Sequence, residues 1–281
     1  MCCIPTHRDP PQVYESARAV DEYLQFHFAT PRELAPIVGE FVNKEALDFP
    51  ALCAKETTAA ARSAGCRRTR VLDVGCATGR HSFELSTDFD EVVGFDFSAA
   101  FVKACNKMKH DGKCEYQALV EGTLMETRTA FLPKEVNASK CQFVVGDACN
   151  MFDIALPGGR QLGTFDAVVA ANLLCRLPDP KKFLRDMHVI VKPSGVFVLI
   201  SPYSWLPEYT KKEAWVGGYT DKQSGAPVMT KDEVLKAMSG GFDLISEKNM
   251  PFLIREHQRK YQIGCSHCMV FKRKVDARVS A

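Results

Sequence analysis

The stretch Val71-Leu72-Asp73-Val74-Gly75-Cys76-Ala77-Thr78-Gly79 decides the reading of this chain. Its first four residues are an apolar run carrying one acid, which reads as a short buried strand. Gly75 and Gly79 then permit a sharp turn and a close approach of backbone to a ligand. A helix is expected from about Gly79 to Thr87, and its first N–H groups suit a carboxylate. In open α/β sheets such a turn lies beyond the C-terminal ends of the strands, where ligands bind.

Outward from this loop, short apolar runs alternate with helical stretches. Strands are expected at residues 91–95, 141–145, 165–170 and 195–201, and helices at about 98–110, 180–191 and 231–238. Two closing strands, near 243–255 and 260–272, are joined tightly enough to form an antiparallel pair at one edge. The alternation predicts an α/β fold, a mostly parallel sheet with helices on both faces. Residues 113–140 exceed a normal connection and are expected to form a hairpin insertion. Residues 202–230, rich in Pro, Gly, Tyr and Trp, have the character of a binding lid. Upstream, residues 13–28, 31–47 and 50–64 read as helices. A helical preface over 1–65 is thus expected to pack on a core of 66–275.

The 281 residues carry 36 basic and 34 acidic side chains, a net charge of +2. No basic excess marks a nucleic-acid binder. No apolar run reaches the roughly 18 residues that a membrane span needs. The N-terminus lacks the long apolar stretch of a secretory signal, so a cytoplasmic protein is expected. Its twelve cysteines then read as mostly free thiols. Cys265-Ser266-His267-Cys268 has the spacing of a metal knuckle or redox pair. It lacks a second pair and lies in an alternating stretch, so it reads as strand, and no metal is expected.

Asp96 follows Gly75 by 21 residues at the end of the second strand. An acid at that interval typically accepts hydrogen bonds from ribose hydroxyls. Asp147 ends the third strand, where it could meet an adenine amino group. The loop reads D-V-G-C-A-T-G, not G-x-G-x-x-G. An acid two residues before the first glycine is repelled by a pyrophosphate, but it suits the amino group and sulfonium of S-adenosylmethionine. D-x-G-x-x-x-G, Asp96 and Asp147, in strand order, resemble the class I methyltransferase pattern. That resemblance implies a Rossmann-like, seven-stranded sheet with an antiparallel edge strand. The cofactor set expected is Asp73, Gly75, Cys76, Ala77, Gly79, Asp96, Phe97, Asp147, Ala148 and Asn172. The duller reading is that Asp73 and Asp147 merely cap neighbouring elements.

A narrower resemblance covers residues 12 to 273. Tyr14-Glu15 followed by EYLQFHF, then LDVGCATGRHSFELS, FDEVVGFDFSAAF, GDACN, AANLLCRLPDP, SPYSWLPEYTKKEAWVGG and PFLIREHQRKYQ are similar to the methyltransferase domain of ovothiol synthase. SPYSWLPEY and AANLLCRL are the most specific blocks. The resemblance implies N-methylation of the imidazole of a mercaptohistidine-type small molecule. The sulfoxide synthase domain of the fused family members is missing from this sequence, which would assign that step to a separate chain.

An amino-acid acceptor carries a carboxylate and an ammonium. Arg80, Arg176 and Arg255 are candidate carboxylate partners, because the guanidinium fork matches that group. Glu15 or Glu256 could meet the ammonium. Tyr14, Tyr23, Tyr203 and Trp205 are candidate walls for the ring. Asn172, Tyr203 and Tyr14 are the candidates to sit at the reacting groups. Each has a plainer reading: Arg255 and Glu256 as solvated strand residues, Tyr23 and Phe26 as helix core, His27 and His81 as structural. Two other functions stay open. One is methylation of another histidine-containing small molecule, a peptide, a protein side chain or RNA. The exit Asn172-Leu173-Leu174-Cys175 departs from the N/D-P-P-Y/F of nucleic-acid amino methylases. The other is a non-catalytic cofactor-binding partner protein.

Overall fold

The computed structural model describes residues 10–275. In chain order the main elements are α1 (Ala17–Phe28), α2 (Phe49–Ser63), β1 (Arg70–Val74), α3 (Arg80–Leu85), β2 (Glu91–Asp96) and α4 (Ala99–Asp111). A hairpin follows, β3 (Lys113–Glu121) and β4 (Leu124–Phe131), and then β5 (Cys141–Val145), β6 (Phe165–Ala171) and α5 (Pro180–Ile190). The chain continues with β7 (Val191–Ser201), α6 (Thr230–Met238), β8 (Phe242–His257) and β9 (Lys260–Arg273).

Seven strands form one sheet in the order β8-β9-β7-β6-β1-β2-β5. The ladders from β7 to β5 are parallel. β9 runs antiparallel to both β7 and β8, which gives the expected antiparallel pairing at that edge. Both faces are covered, which explains why β1, β6 and β7 are nearly continuous apolar runs. On one face Leu24, Phe49, Phe83, Val71 and Val169 share a core with α1 to α4. On the other, Val74, Phe183, Leu184, Val234 and Phe271 pack with α5 and α6. The chain leaves β1 toward β2 and returns to its other side as β6. The crevice at that reversal is where a ligand belongs.

Two local differences from the sequence reading have plain causes. The helix expected over 13–28 starts only at Ala17, because Ser16 caps it by accepting from the Ala19 N–H. The helix expected over 31–47 is a single turn, Pro31–Leu34, followed by 3-10 turns at Gly39–Phe41 and Lys44–Asp48. Pro36 withdraws an N–H and Gly39 weakens the next turn. Leu34, Ala35, Ala46 and Leu47 are still buried, against Leu253 of β8.

β8 and β9 are longer than the sheet that carries them. β9 pairs with β7 only over His267–Lys272, while residues 260–266 pair with β8 alone. The hairpin end therefore overhangs the C-terminal edge of the sheet and reaches α1. Among the described residues no helix is long and apolar enough to cross a membrane.

Candidate active site

The loop after β1 is shaped by its backbone. Gly75 and Gly79 have φ of 74° and 87°, and Ala77 between them also has a positive φ, 47°. The Gly75 and Cys76 N–H groups both donate to the Phe95 carbonyl at the end of β2. A Cβ on Gly79 would lie 3.0 Å from Cys105 Sγ and 3.1 Å from the Phe143 ring. Left-handed strain and overpacking then add, so Gly79→Ala is expected to lower unfolding stability by roughly 2–4 kcal/mol. Urea denaturation reads this, and an unchanged midpoint would refute the account.

Asp96 stands at the mouth of this loop. Its carboxylate accepts from the Ala77 N–H and the Ser98 N–H, both at 2.9 Å. Burial pushes its pKa up to about 6, against those two hydrogen bonds. Asp147 is held by the Cys149 N–H at 2.8 Å and the Asn150 side-chain amide at 2.7 Å. Asp73 is deeper, 1% exposed. Ser82 Oγ donates to it at 2.6 Å, and His81 Nδ1 lies 3.3 Å away. Burial opposes its charge, but His81 and Ser82 hold its pKa below the ordinary carboxylate value.

These carboxylates line one cavity of about 660 Å³, within the range of small-molecule sites. Tyr14, Tyr23 and Phe101 form an aromatic cluster above the loop, with Tyr14 edge-on to Tyr23. Tyr14 meets Tyr209 at 3.4 Å, and the Arg176 guanidinium sits 4.8 Å over the Tyr209 ring. Further in, Phe49 packs on Phe252 of the overhanging hairpin. Asn172, at the exit of β6, has φ 54°, and Ser266 Oγ donates to its Oδ1 at 2.6 Å. That bond fixes the amide's orientation beside the loop.

Of the sequence candidates, Asp73, Gly75, Cys76, Ala77, Asp96, Phe97, Asp147, Ala148, Asn172, Tyr14, Arg176, Arg255 and Glu256 line this cavity, and so does Tyr23. Gly79 acts one step back, as the residue that starts α3. Four others are placed elsewhere. Glu15 accepts the Ala99 and Ala100 N–H groups and caps α4. Arg80 is tied to Glu84, Asp48 and the His27 carbonyl. Tyr203 bonds His267 Nδ1 at 2.7 Å, and Trp205 donates to Thr230 Oγ1 at 2.9 Å beneath the loop after β7. That loop reaches the cavity instead through Pro202, Ser204, Glu208 and Tyr209. Cys265 is exposed and Cys268 buried, as alternation along a strand requires for residues three apart.

The sequence reading missed His27 and His81 as site residues. Both line the cavity, 8% and 5% exposed. The spacing of Tyr23 and His27, four apart on α1, was the available signal, since both face the same side. Burial lowers the His27 pKa to about 3 from 6.5. Below pH 6.5 the unfolded chain takes up a proton that the folded one refuses until about pH 3. His27 therefore costs stability as pH falls through that window, up to about 1.4 kcal/mol per pH unit. Asp96, raised to about 6 from 3.8, works in the opposite sense between those values. His27→Gln is expected to flatten the acid limb of a stability-against-pH curve, and an unchanged limb would overturn this.

Residues 72–199 match the family described as methyltransferase domain. No curated protein sequence matches the chain. Among solved structures it is similar to magnesium protoporphyrin IX methyltransferase from Synechocystis PCC 6803 with bound SAH. There the TM-score is 0.56 at 11% identity, over 94% of this chain and 98% of that one. The same methyltransferase with bound SAM gives 0.54 at 12% identity, over 96% and 100%. At such identities the likeness speaks for the fold. The cradle fits the methyl donor: backbone turned open at Gly75 and Ala77, a cavity-facing carboxylate at Asp96, and a second at Asp147. With the match to the methyltransferase domain lying across this loop and these carboxylates, the chain has the Rossmann-like methyltransferase fold and is an S-adenosylmethionine-dependent methyltransferase.

Proposed function

We propose that the acceptor is the imidazole ring of a mercaptohistidine-type small molecule, methylated on nitrogen. The supporting observation is Arg255. It is 2% exposed, it lines the cavity, and its Nε has no hydrogen-bond partner. Its terminal nitrogens donate to the Glu33 and Leu119 carbonyls. No carboxylate among the described residues lies within ion-pairing distance. A buried guanidinium in that condition fits an acceptor that brings its own carboxylate. Glu256, also on the cavity wall, already pairs with Lys260 at 2.6 Å and accepts from Gln262 at 2.8 Å, so an acceptor ammonium would share that carboxylate. Between them and the loop, Tyr23, Phe26 and Phe252 give the flat apolar walls that an imidazole requires.

S-adenosylmethionine supplies an electrophilic methyl group. The residues of the chain align the acceptor and exclude water. Neutral imidazole, with a reference pKa of about 6.5, needs no strong base to act as a nucleophile. Arg255 and Glu256 fix the amino-acid end, and Asn172, anchored by Ser266, stands where the ring and the loop meet.

The test is incubation with 5-mercaptohistidine at saturating S-adenosylmethionine, followed by mass spectrometry. A gain of one CH₂ on the ring is expected. Turnover of plain histidine or a histidyl peptide, with none of mercaptohistidine, would reject the reading.

A further inference from the structure

We propose that His81, oriented by Asp73, is the proton acceptor of the transfer. The proposal rests on the imidazole-acceptor reading for the identity of the N–H it meets. His81 Nδ1 lies 3.3 Å from Asp73 Oδ1, with the two side chains 6% and 2% exposed. Asp73 is in turn fixed by Ser82 Oγ at 2.6 Å. With Nδ1–H committed to that carboxylate, Nε2 carries the lone pair. His81 Nε2 is buried without a partner, on a residue that lines the cavity. A buried acceptor left open costs free energy, about 1–3 kcal/mol, and calls for a partner. A ligand N–H is the complementary group.

The surroundings distinguish acceptor from cofactor. Asp96 ends β2 and Asp147 lies two residues past the end of β5, at one side of the sheet. The inner cavity wall combines His27, Phe49, Cys53 and Phe252, and Phe252 comes from the opposite edge strand. His27 Nδ1 is also buried and unpartnered, and burial keeps that ring neutral. The titratable and charged groups set against His81 are Asp73 from β1 and His27 from α1, with Arg80 its neighbour in the chain on α3. Asp73, Arg80 and His81 all act on His27, and Asp73 acts on Cys53. Asp73 is thus the carboxylate in contact with the His81 ring.

Before transfer, His81 Nε2 accepts a hydrogen bond from the N–H of the acceptor ring. This selects the tautomer whose other nitrogen carries its lone pair toward the methyl group. That lone pair forms the N–CH₃ bond as the sulfonium C–S bond breaks, the sulfur keeping the bonding pair. The methylated ring, now cationic, passes its N–H proton to His81 Nε2, and Asp73 stabilises the imidazolium. The pattern is that of a base whose orientation is set by a third group.

Two measurements test this. Imidazole ¹⁵N NMR of the protein saturated with S-adenosylhomocysteine needs no acceptor. It should show His81 protonated on Nδ1 and not on Nε2, and Asp73→Asn should remove that preference. His81→Gln keeps a hydrogen-bonding group near the Nε2 position but takes no proton. It should lower kcat by roughly 10²- to 10⁴-fold with little change in acceptor KM or S-adenosylhomocysteine affinity. A protonated Nε2, a kcat close to wild type, or a loss confined to cofactor affinity would overturn the proposal. If wild type ignores mercaptohistidine but methylates another N–H acceptor, and His81→Gln lowers kcat on that acceptor to the same extent, only the acceptor reading fails.

Discussion

Asp96→Ala is expected to weaken binding of S-adenosylhomocysteine by roughly 10²- to 10⁴-fold, read by calorimetry. The residue meets the cavity with a carboxylate that already accepts the Ala77 and Ser98 N–H groups at 2.9 Å. Each carboxylate oxygen has a further lone pair for a ribose hydroxyl. Two charge-assisted hydrogen bonds contribute about 1.5–3 kcal/mol each. Removing the side chain also frees the Ala77 N–H, in a residue that holds a positive φ of 47°. Asp96→Asn keeps one acceptor oxygen and should lose less. Because burial pushes the carboxyl up to about 6, affinity should decline as pH falls below that value, where protonation removes acceptor capacity. Equal affinities for wild type and Asp96→Ala at pH 8, with the variant folded by circular dichroism, would show that the ribose is held elsewhere.

The sheet and its cofactor loop were readable because their signals are local. β1 is an apolar run, Gly75 and Gly79 mark the turn, and Asp96 and Asp147 stand at or just past the end of a strand. The acceptor side was less readable, because its residues meet only through tertiary packing. Arg80 reads as a free fork, yet it lies four residues before Glu84 on a helix and is captured there at 2.7 Å. Glu15 sits far from α4 in sequence and still caps it. Trp205 and Tyr203 look like a lid in a Pro-rich segment, but Thr230 and His267 take their polar atoms and turn them away from the cavity. Conversely, Phe252 and Arg255 reach the site only because β8 and β9 overhang the sheet. Strand length past a sheet edge depends on what it packs against, here α1 and the turns before α2. His27 and His81 look structural in isolation, and their open nitrogens become visible only when burial and partners are known together.

Arg255→Met is expected to raise the KM of a carboxylate-bearing acceptor by roughly 10²- to 10⁴-fold, the cost of about 3–5 kcal/mol for losing one partner of a buried charge pair. Methionine retains the apolar stem and removes the fork. Part of any effect could come from the fold, since the Glu33 and Leu119 carbonyls lose their donors, at about 1–3 kcal/mol for each one left unsatisfied. Two comparisons separate the causes. Arg255→Lys keeps a cation but loses the planar pair of donors, so it should recover folding stability better than KM. An acceptor analogue without the carboxylate should be used equally poorly by wild type and Arg255→Met, because the partner charge is missing from both arms of the cycle. The acceptor should also stabilise the wild type against heat, since it binds the folded chain alone. Burial and the neighbouring Arg128 lower the Arg255 pKa, and an anion in the cavity relieves both effects. If the analogue and the carboxylate-bearing acceptor respond alike to Arg255→Met, the guanidinium belongs to the fold and the acceptor's carboxylate is bound at Arg176, the other cavity-lining arginine proposed for it.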